Sequence, residues 1–370
     1  MNRLQSRLYR LSFWLAPLVA LPFWWGVMRA LEDPADAWLT WWAAIVIQGI
    51  VPLLDAPFGR VITRFSREEQ DALGRNRLLR AVPWVCGLVW LATLASAIIV
   101  TPKILQLPTL HIVGFVLSLG IVGGIMAINV GHELIHRNNK AARFFGGVLL
   151  ASAGYGVFKV EHVRGHHLRV GTFADPATAR FNETAYAFVP RAIIGTFQHA
   201  WRLEAARLAG SHYTGFARLA RNEALQWILL SAVFAAAAVR VSGWAGLAVF
   251  LLGALIAIVE LELVDYIEHY GLSRGTDANG ALLPVRYEHS WDYSGWFTNA
   301  LLINLQRHSD HHAHGGRAFA ALNSHFEAPQ LPANYATMMK LALVPPLYRW
   351  IIHPRLAALN LVTAFSRTDH

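Results

Sequence analysis

The stretch TLHIVGFVLSLGIVGGIMAINVGHELIHR (residues 109–137) carries two messages at once. Residues 109–130 contain no formally charged side chain, and about 20 such residues in a helix cross the ~30 Å hydrocarbon core of a bilayer. The last residues read H-E-x-x-H, a pattern that sets two histidines one helical turn apart. In zinc peptidases those histidines hold the metal and the glutamate acts as general base. Which chemistry applies here depends on the rest of the chain.

The apolar message repeats. With 370 residues, 55% hydrophobic, 15% charged and fourteen tryptophans, the chain is far more apolar than a water-soluble domain needs. Residues 11–28, 37–54 and 81–100 resemble 109–130, and residues 224–239 and 241–259 follow. Residues 144–158 are apolar but too short to span, which predicts an interfacial or protein-buried helix. The expected fold is therefore an all-α integral membrane protein of six transmembrane helices, paired as three hairpins. It forms one membrane domain over residues 1–370, with extramembranous segments at about 131–222 and 260–370.

Arginine placement predicts orientation, because positively charged loops are retained in the cytoplasm. Arg3, Arg7 and Arg10 precede the first span, whereas Glu32, Asp33 and Asp36 follow it. Arg60, Arg64, Arg67, Arg75, Arg77 and Arg80 fill the connection between the second and third. The N-terminus and the end of every even-numbered span are expected in the cytoplasm. This bias accounts for most of the net charge of +9, so a nucleic-acid partner is not needed to explain it. Residues 11–28 are long, rich in Trp and Phe and followed by no small-residue cleavage site, which predicts a retained span rather than a signal peptide. The single cysteine, Cys86, excludes a disulfide framework and a Cys-ligated cluster built from this chain alone.

Seventeen histidines are present, and most cluster. His132 and His136 lie just beyond the fourth span, EHVRGHH supplies His162, His166 and His167, and DYIEHYGL supplies His269. LQRHSDHHAHGGR adds His308, His311, His312 and His314. The derived topology puts all four groups on one side of the membrane. His132 with His136, and His162 with His166, are i, i+4 pairs expected to share a helix face, and His308 repeats the spacing with His311 or His312. One such ring at a bilayer boundary is an ordinary polar side chain. So many converging on one surface would repel on protonation, and neutral imidazole is the form that binds iron, copper, nickel or zinc.

A zinc peptidase would leave three of these clusters unused, and VPLLDAPFG around Asp55 is a poor third-ligand motif. Two metal ions use the rings better. Glu133 then becomes a carboxylate that accepts a hydrogen bond from a ligand histidine, a role expected also of Glu161, Glu268 and Asp310.

Together HELIHR, EHVRGHH, DYIEHYGL and LQRHSDHHAH resemble the integral-membrane alkane 1-monooxygenases, themselves similar to membrane fatty acid desaturases. The resemblance continues through DPATARFNETAYAFVPRA and HFEAPQLPANYATMMKLALVPPLYRWIIHPRL, over roughly residues 37–358. It implies a cytoplasmic di-iron centre held by His132, His136, His162, His166, His167, His269, His308, His311 and His312, with His314 at a variable position. Three departures stand out: Arg137 for the usual Lys, Asp265 where the motif N-Y-x-E-H-Y-G opens with Asn, and VGTFADPA for VATPEDPA.

The implied activity is non-haem di-iron hydroxylation of an alkane's terminal methyl to a primary alcohol, with O2 as co-substrate. Electrons would come from rubredoxin, reduced by an NAD(P)H-dependent rubredoxin reductase, and the site of action would be a bacterial inner membrane. Desaturation or hydroxylation of another hydrophobic substrate, such as a fatty acyl chain or alkyl aromatic, is the alternative, and a zinc intramembrane protease a distant one. Trp14, Phe23, Trp24 and Trp41 are candidates to line a substrate channel, with an interfacial belt or helix packing favoured for each singly. Lys140 and Arg143 belong to a basic surface expected to dock the acidic donor, the alternative being that it only anchors the protein to the anionic headgroups of membrane lipid.

Overall fold

The computed structural model describes residues 3–359. It is helical, with isolated bridges and no strand among the described residues. The helices that matter for the site are α1 (Leu4–Glu32), α2 (Pro34–Phe58), α3 (Arg77–Ile104), α4 (Thr109–Ile135), α5 (Lys140–Ser152), α6 (Ala185–Ala209), α7 (Glu223–His269) and α8 (His308–Ala313). Residues 360–370, the end of the second expected extramembranous segment, lie outside the described residues.

Five of these helices, α1–α4 and α7, are long and apolar enough to cross a membrane, where the sequence predicts six spans. The difference lies in α7, which merges the two runs 224–239 and 241–259 into one 47-residue element. That element is not straight. Ser242 (φ −135°, ψ 22°) and Gly243 (φ 64°, ψ −156°) leave helical space, and a Cβ on Gly246 would collide with the carbonyl oxygen of Ala238. Eight residues along a straight helix lie ~12 Å apart, so the chain folds back at this point. Gly243 supplies the positive φ that the reversal needs. The Ser242 hydroxyl donates to the Ile98 carbonyl at 2.6 Å, fastening the turn to α3.

Asparagine caps start the long helices. Asn76 Oδ1 accepts from the amides of Leu78 and Leu79 at the head of α3, and Asn222 Oδ1 from that of Leu225 at the head of α7. Asn139 does the same for α5, a 13-residue helix that starts four residues before the expected 144–158 helix and ends six residues short of its end. Its glycine face lies almost backbone to backbone with the end of α4. A Cβ on Gly146 would stand 2.8 Å from the Gly131 carbonyl oxygen and 2.9 Å from Leu134 Cβ. This contact sets the direction in which His132, the next residue along α4, projects.

The spans share one apolar core, with Cys86 packed inside it. A second core, which includes Phe188, Tyr266, Trp291, Tyr335 and Tyr348, surrounds the end of α7. Between them the segment before α8 is pinned by polar groups. Arg307, 1% exposed, donates to Tyr9 Oη at 2.8 Å and to the Val61 carbonyl at 3.1 Å. Tyr9 in turn donates to the Ala320 carbonyl. Asp55 is likewise structural, accepting from the amides of Phe297 and Thr298 and from the Thr298 hydroxyl.

Gly146→Ala should therefore lower the thermal midpoint of the detergent-solubilised protein, by the equivalent of about 1–3 kcal/mol for overpacking against backbone. Gly210→Ala, at a position where a Cβ meets nothing within 4 Å, is the control expected to leave it unchanged.

Candidate metal centre

Nine histidines converge on one end of the bundle, and they are the nine singled out in the sequence. They form two groups, His132, His136, His162, His167 and His311 in one, and His166, His269, His308 and His312 in the other. Within each group the candidate ligand atoms all lie within 4.8 Å of one another. The groups abut, with the rings of His167 and His312 stacked at 4.5 Å between centroids. His314 points away to Asp310.

One expected pairing fails. His132 and His136 share a group, as do His308 and His312, but His162 and His166 divide between the two. Residues His162–His166 form a π-helical turn, in which the hydrogen bonds run i to i+5. The wider turn aligns His162 with His167, whose Nε2 atoms are 3.1 Å apart, and turns His166 to the other group. A second π turn, Gly124–Asn129, immediately precedes the helical turn carrying His132.

The nitrogens are set up to receive cations. In the first group, His132 Nε2 lies 2.9 Å from His311 Nε2, and His311 Nε2 lies 3.1 Å from His167 Nε2. In the second, His312 Nε2 is 2.8 Å from His308 Nε2 and 3.1 Å from His166 Nε2. Protons on the far nitrogens have acceptors: His166 Nδ1 faces Asp175 Oδ2 at 2.9 Å, and His269 Nδ1 faces the His289 carbonyl at 3.2 Å. Those tautomers leave the Nε2 lone pairs pointing inward. His136 Nε2 is buried without any hydrogen-bond partner. Burial first, and neighbouring rings second, push His136, His162, His167, His308, His311 and His312 well below their ordinary pKa. The rings are thus neutral, the ligating form. His166 is the exception: burial lowers it, but Asp175 and Glu161 together outweigh burial and raise it. An all-imidazole donor set of this kind suits a divalent transition metal.

The carboxylates behave differently from expectation. Glu133 accepts from Arg137 Nη2 at 3.1 Å and from the Phe319 amide, Glu161 accepts from His199 at 2.8 Å, and Asp310 is held by Arg317, His314, His325 and the Asn323 amide. Among the described residues none of these three forms a hydrogen bond with the nine rings. Each adjoins a clustered histidine in sequence, and successive helical residues point about 100° apart, so a neighbour of a clustered ring faces elsewhere. Glu268 does contact one, its Oε1 lying 3.2 Å from His308 Nδ1, though out of line for a hydrogen bond. The carboxylate missed by sequence reasoning is Asp175, fully buried, with Thr178 Oγ1 donating to it at 2.6 Å. Its place nine residues after His166, inside the ADPA segment, was the available signal.

A cavity of about 280 Å³ lies beside the rings, walled mainly by apolar side chains such as Leu18, Val46, Ile125, Leu301 and Met339. Asn129, Leu261, Val264 and Leu305 belong to its wall and also to that of a water-sized space of about 10 Å³ bounded by His132, His162 and His308. The aromatics proposed from sequence do not line it. Trp24 donates to Thr93, Trp41 to the Leu110 carbonyl, Phe23 packs on Phe115, and Trp14 packs against the core.

A family model for fatty acid desaturases matches residues 107–342. Alkane 1-monooxygenase 2 of Alcanivorax borkumensis is 40% identical over 94% of this chain and 90% of its own. Alkane 1-monooxygenases 1 and 2 of Pseudomonas aeruginosa are each 38% identical, over 94% and 99% of this chain and 91% and 96% of their own. The chain belongs to the alkane 1-monooxygenase family.

In this family member the basic surface is more neutralised than its sequence implies. Arg137 is tied to Glu133 and the Arg317 carbonyl, Arg164 pairs with Glu204 and Glu223, Arg169 meets His199, and Arg317 meets Asp310. Arg143 donates to the carbonyls of Arg137 and Asn138, which makes it a clamp on the turn after His136. Lys140 and Arg180 remain exposed.

Asp175→Asn should weaken metal retention by about 10–100-fold, the usual cost of losing the partner that orients a ligand imidazole. Chelator competition on the purified protein checks this. Asp310→Asn, whose partners lie away from the rings, should fall outside that range.

Proposed function

We propose that this chain hydroxylates the terminal methyl of alkanes, with two iron ions held by the nine histidines. The observation that carries the reading is the common wall between an apolar cavity and two groups of inward-facing imidazole nitrogens. An alkane has no polar group to grip, so its binding energy comes from burial, ~0.8 kcal/mol per CH2. The cavity supplies that burial, and Leu261, Val264 and Leu305 form the last apolar contacts before the rings. They exclude water and admit a chain end before a chain middle. When bound, the metal pair supplies the activation of O2, placing one oxygen atom in the C–H bond and releasing the other as water. Asp175 holds the proton on His166 Nδ1, the His289 carbonyl holds that on His269 Nδ1, and both rings keep their orientation.

In this reading α7 crosses the membrane twice, giving six spans, with the N-terminus and the metal centre on the cytoplasmic side of a bacterial inner membrane. The arginine distribution supports it. Electrons come from outside, from rubredoxin. His136 and His167 are the two partly exposed rings, and Lys140 lies four residues beyond His136. The donor docks over this face, with Lys140 steering it and Arg143 holding the turn beneath. A peptidase reading gains nothing from the site, since Glu133 is engaged by Arg137 and the Phe319 amide rather than free to act as a base.

Purified protein should contain roughly two irons per chain. Given reduced rubredoxin and O2, it should convert a linear alkane to the primary alcohol, as read by mass spectrometry of products. Zinc without iron, or a mixture dominated by alkenes or internal alcohols, would refute the reading.

Lys140→Glu should raise the apparent KM for rubredoxin at low salt while leaving iron content unchanged. The difference from the parent should shrink by ~0.5 M salt, where screening acts within a few ångströms. Equal KM values at low salt would remove Lys140 from the docking face.

A further inference from the structure

The carboxylates around the metal centre can be accounted for one by one. Asp175 is taken by His166 and Thr178, Glu161 by His199, Glu133 by Arg137, Asp310 by Arg317, and Glu262 by the Tyr155 hydroxyl at 2.5 Å. Glu268 rests against the His308 ring. Asp265 is left over. It is 3% exposed, and among the described residues no side-chain hydrogen bond or ion pair involves it. Asp265 lines the same water-sized space of about 10 Å³ as His132, His162 and His308. One candidate ligand atom each from Asp265, Glu268 and His269 lie within 4.8 Å of one another.

An isolated buried carboxylate is costly unless a cation stands beside it. The two histidine groups also differ in number, five rings against four, and the four-ring group is the one that contains His269.

We infer that Asp265 donates a carboxylate oxygen to the metal held by His166, His269, His308 and His312, giving the two metals equal numbers of protein donors. The inference rests on the histidine-held iron pair proposed above. Nine neutral imidazoles bring no negative charge to two divalent cations, and Asp265 brings one where burial makes it count most. It makes this centre a mixed nitrogen and oxygen site on one metal and an all-nitrogen site on the other.

Asp265→Asn is the direct test, because the amide keeps the size of the side chain and removes its charge. In 57Fe-loaded, reduced protein, one of two Mössbauer doublets should shift in the variant while the other stays, and chelator should extract one iron at least about 10-fold more readily. The metal-free forms give a reading that needs no activity. Without metal, the variant should melt at or above the parent, since an unpaired buried carboxylate has gone. Iron should then raise its melting temperature by less than it raises the parent's. Two unchanged doublets with unchanged chelator resistance would overturn the inference while leaving the di-iron reading intact. A metal-free variant that melts below the parent, with the same iron-induced rise, would overturn it too. If Asp265→Asn does not accumulate, Asp265→Glu, which retains a carboxylate, should hold both irons, and loss of one iron there would count against ligation. A parent that binds no iron would instead refute the proposed function, and this inference with it.

Discussion

An imidazole offers a lone pair to a cation only while it is neutral, and rings packed together as these are stay neutral only where burial opposes protonation, as it does for all those described above but His166, which its neighbouring carboxylates raise. That constraint organises this molecule. The rings sit at the C-terminal ends of α4 and α7, in the π turn at His162–His166 and along α8, and the surrounding polypeptide is arranged to exclude water from them. The Gly131–Gly146 contact, the clamp of Arg143 on the turn after His136, and the Tyr9–Arg307 pin all hold segments that carry rings. Each lies outside the centre, and each answers the same need, because a ring displaced toward water would protonate and repel its neighbours.

The π turns show how local backbone geometry distributes ligands. An ordinary α-helix presents i and i+4 on one face, which would place His162 and His166 in a single group. The extra residue in the π turn instead joins His162 to His167 and gives His166 to the second group. One seven-residue motif thereby serves two sites, and α8 does likewise, with His311 in one group and His308 and His312 in the other. Two elements shared in this way hold the groups in contact without any connecting side chain.

Much of this was readable beforehand, for physical reasons. Apolar run length is set by bilayer thickness, so α1–α4 appear in sequence with ends within several residues of those observed. The fold-back of α7 appears as Arg240 between two apolar runs, although the turn itself lies at Ser242–Gly243, inside the second run. The four histidine clusters were found because their density is improbable without a shared task, and the choice of nine from among them came from the resemblance to a family. What sequence did not show depends on tertiary geometry. The division of the rings needed the π turn. The partners of Glu133, Glu161 and Asp310 needed the knowledge of which way each side chain leaves its helix, and spacing along the chain says only that an adjacent residue points away from the ligand beside it. The aromatics Trp14, Phe23, Trp24 and Trp41 pack as was favoured for each singly, and the channel-lining role stayed open beforehand because Trp, Phe and Leu serve packing and cavity lining equally well.

The position of the cavity completes the logic. Its wall is made by α1, α2, α4 and α7 together with the segments around residues 297–306 and 335–339, and four of its residues also bound the space beside the rings. The segment 302–306 therefore does three things in very little chain. Leu305 closes the apolar side, Ile303 and Asn304 take positive φ (47° and 60°) to turn the backbone, and His308 follows within one helical turn of that bend. A β-branched residue at positive φ is strained, and such strain persists only where surrounding structure over-determines it. Here Asn304 is fixed through its amide to Tyr9 Oη and the Phe319 carbonyl, and Ile303 is buried at 3% exposure. The tight bend is what lets one short segment face hydrocarbon at Leu305 and imidazole at His308. A looser loop would need more residues between the two, and the apolar contacts and the rings would no longer share a wall.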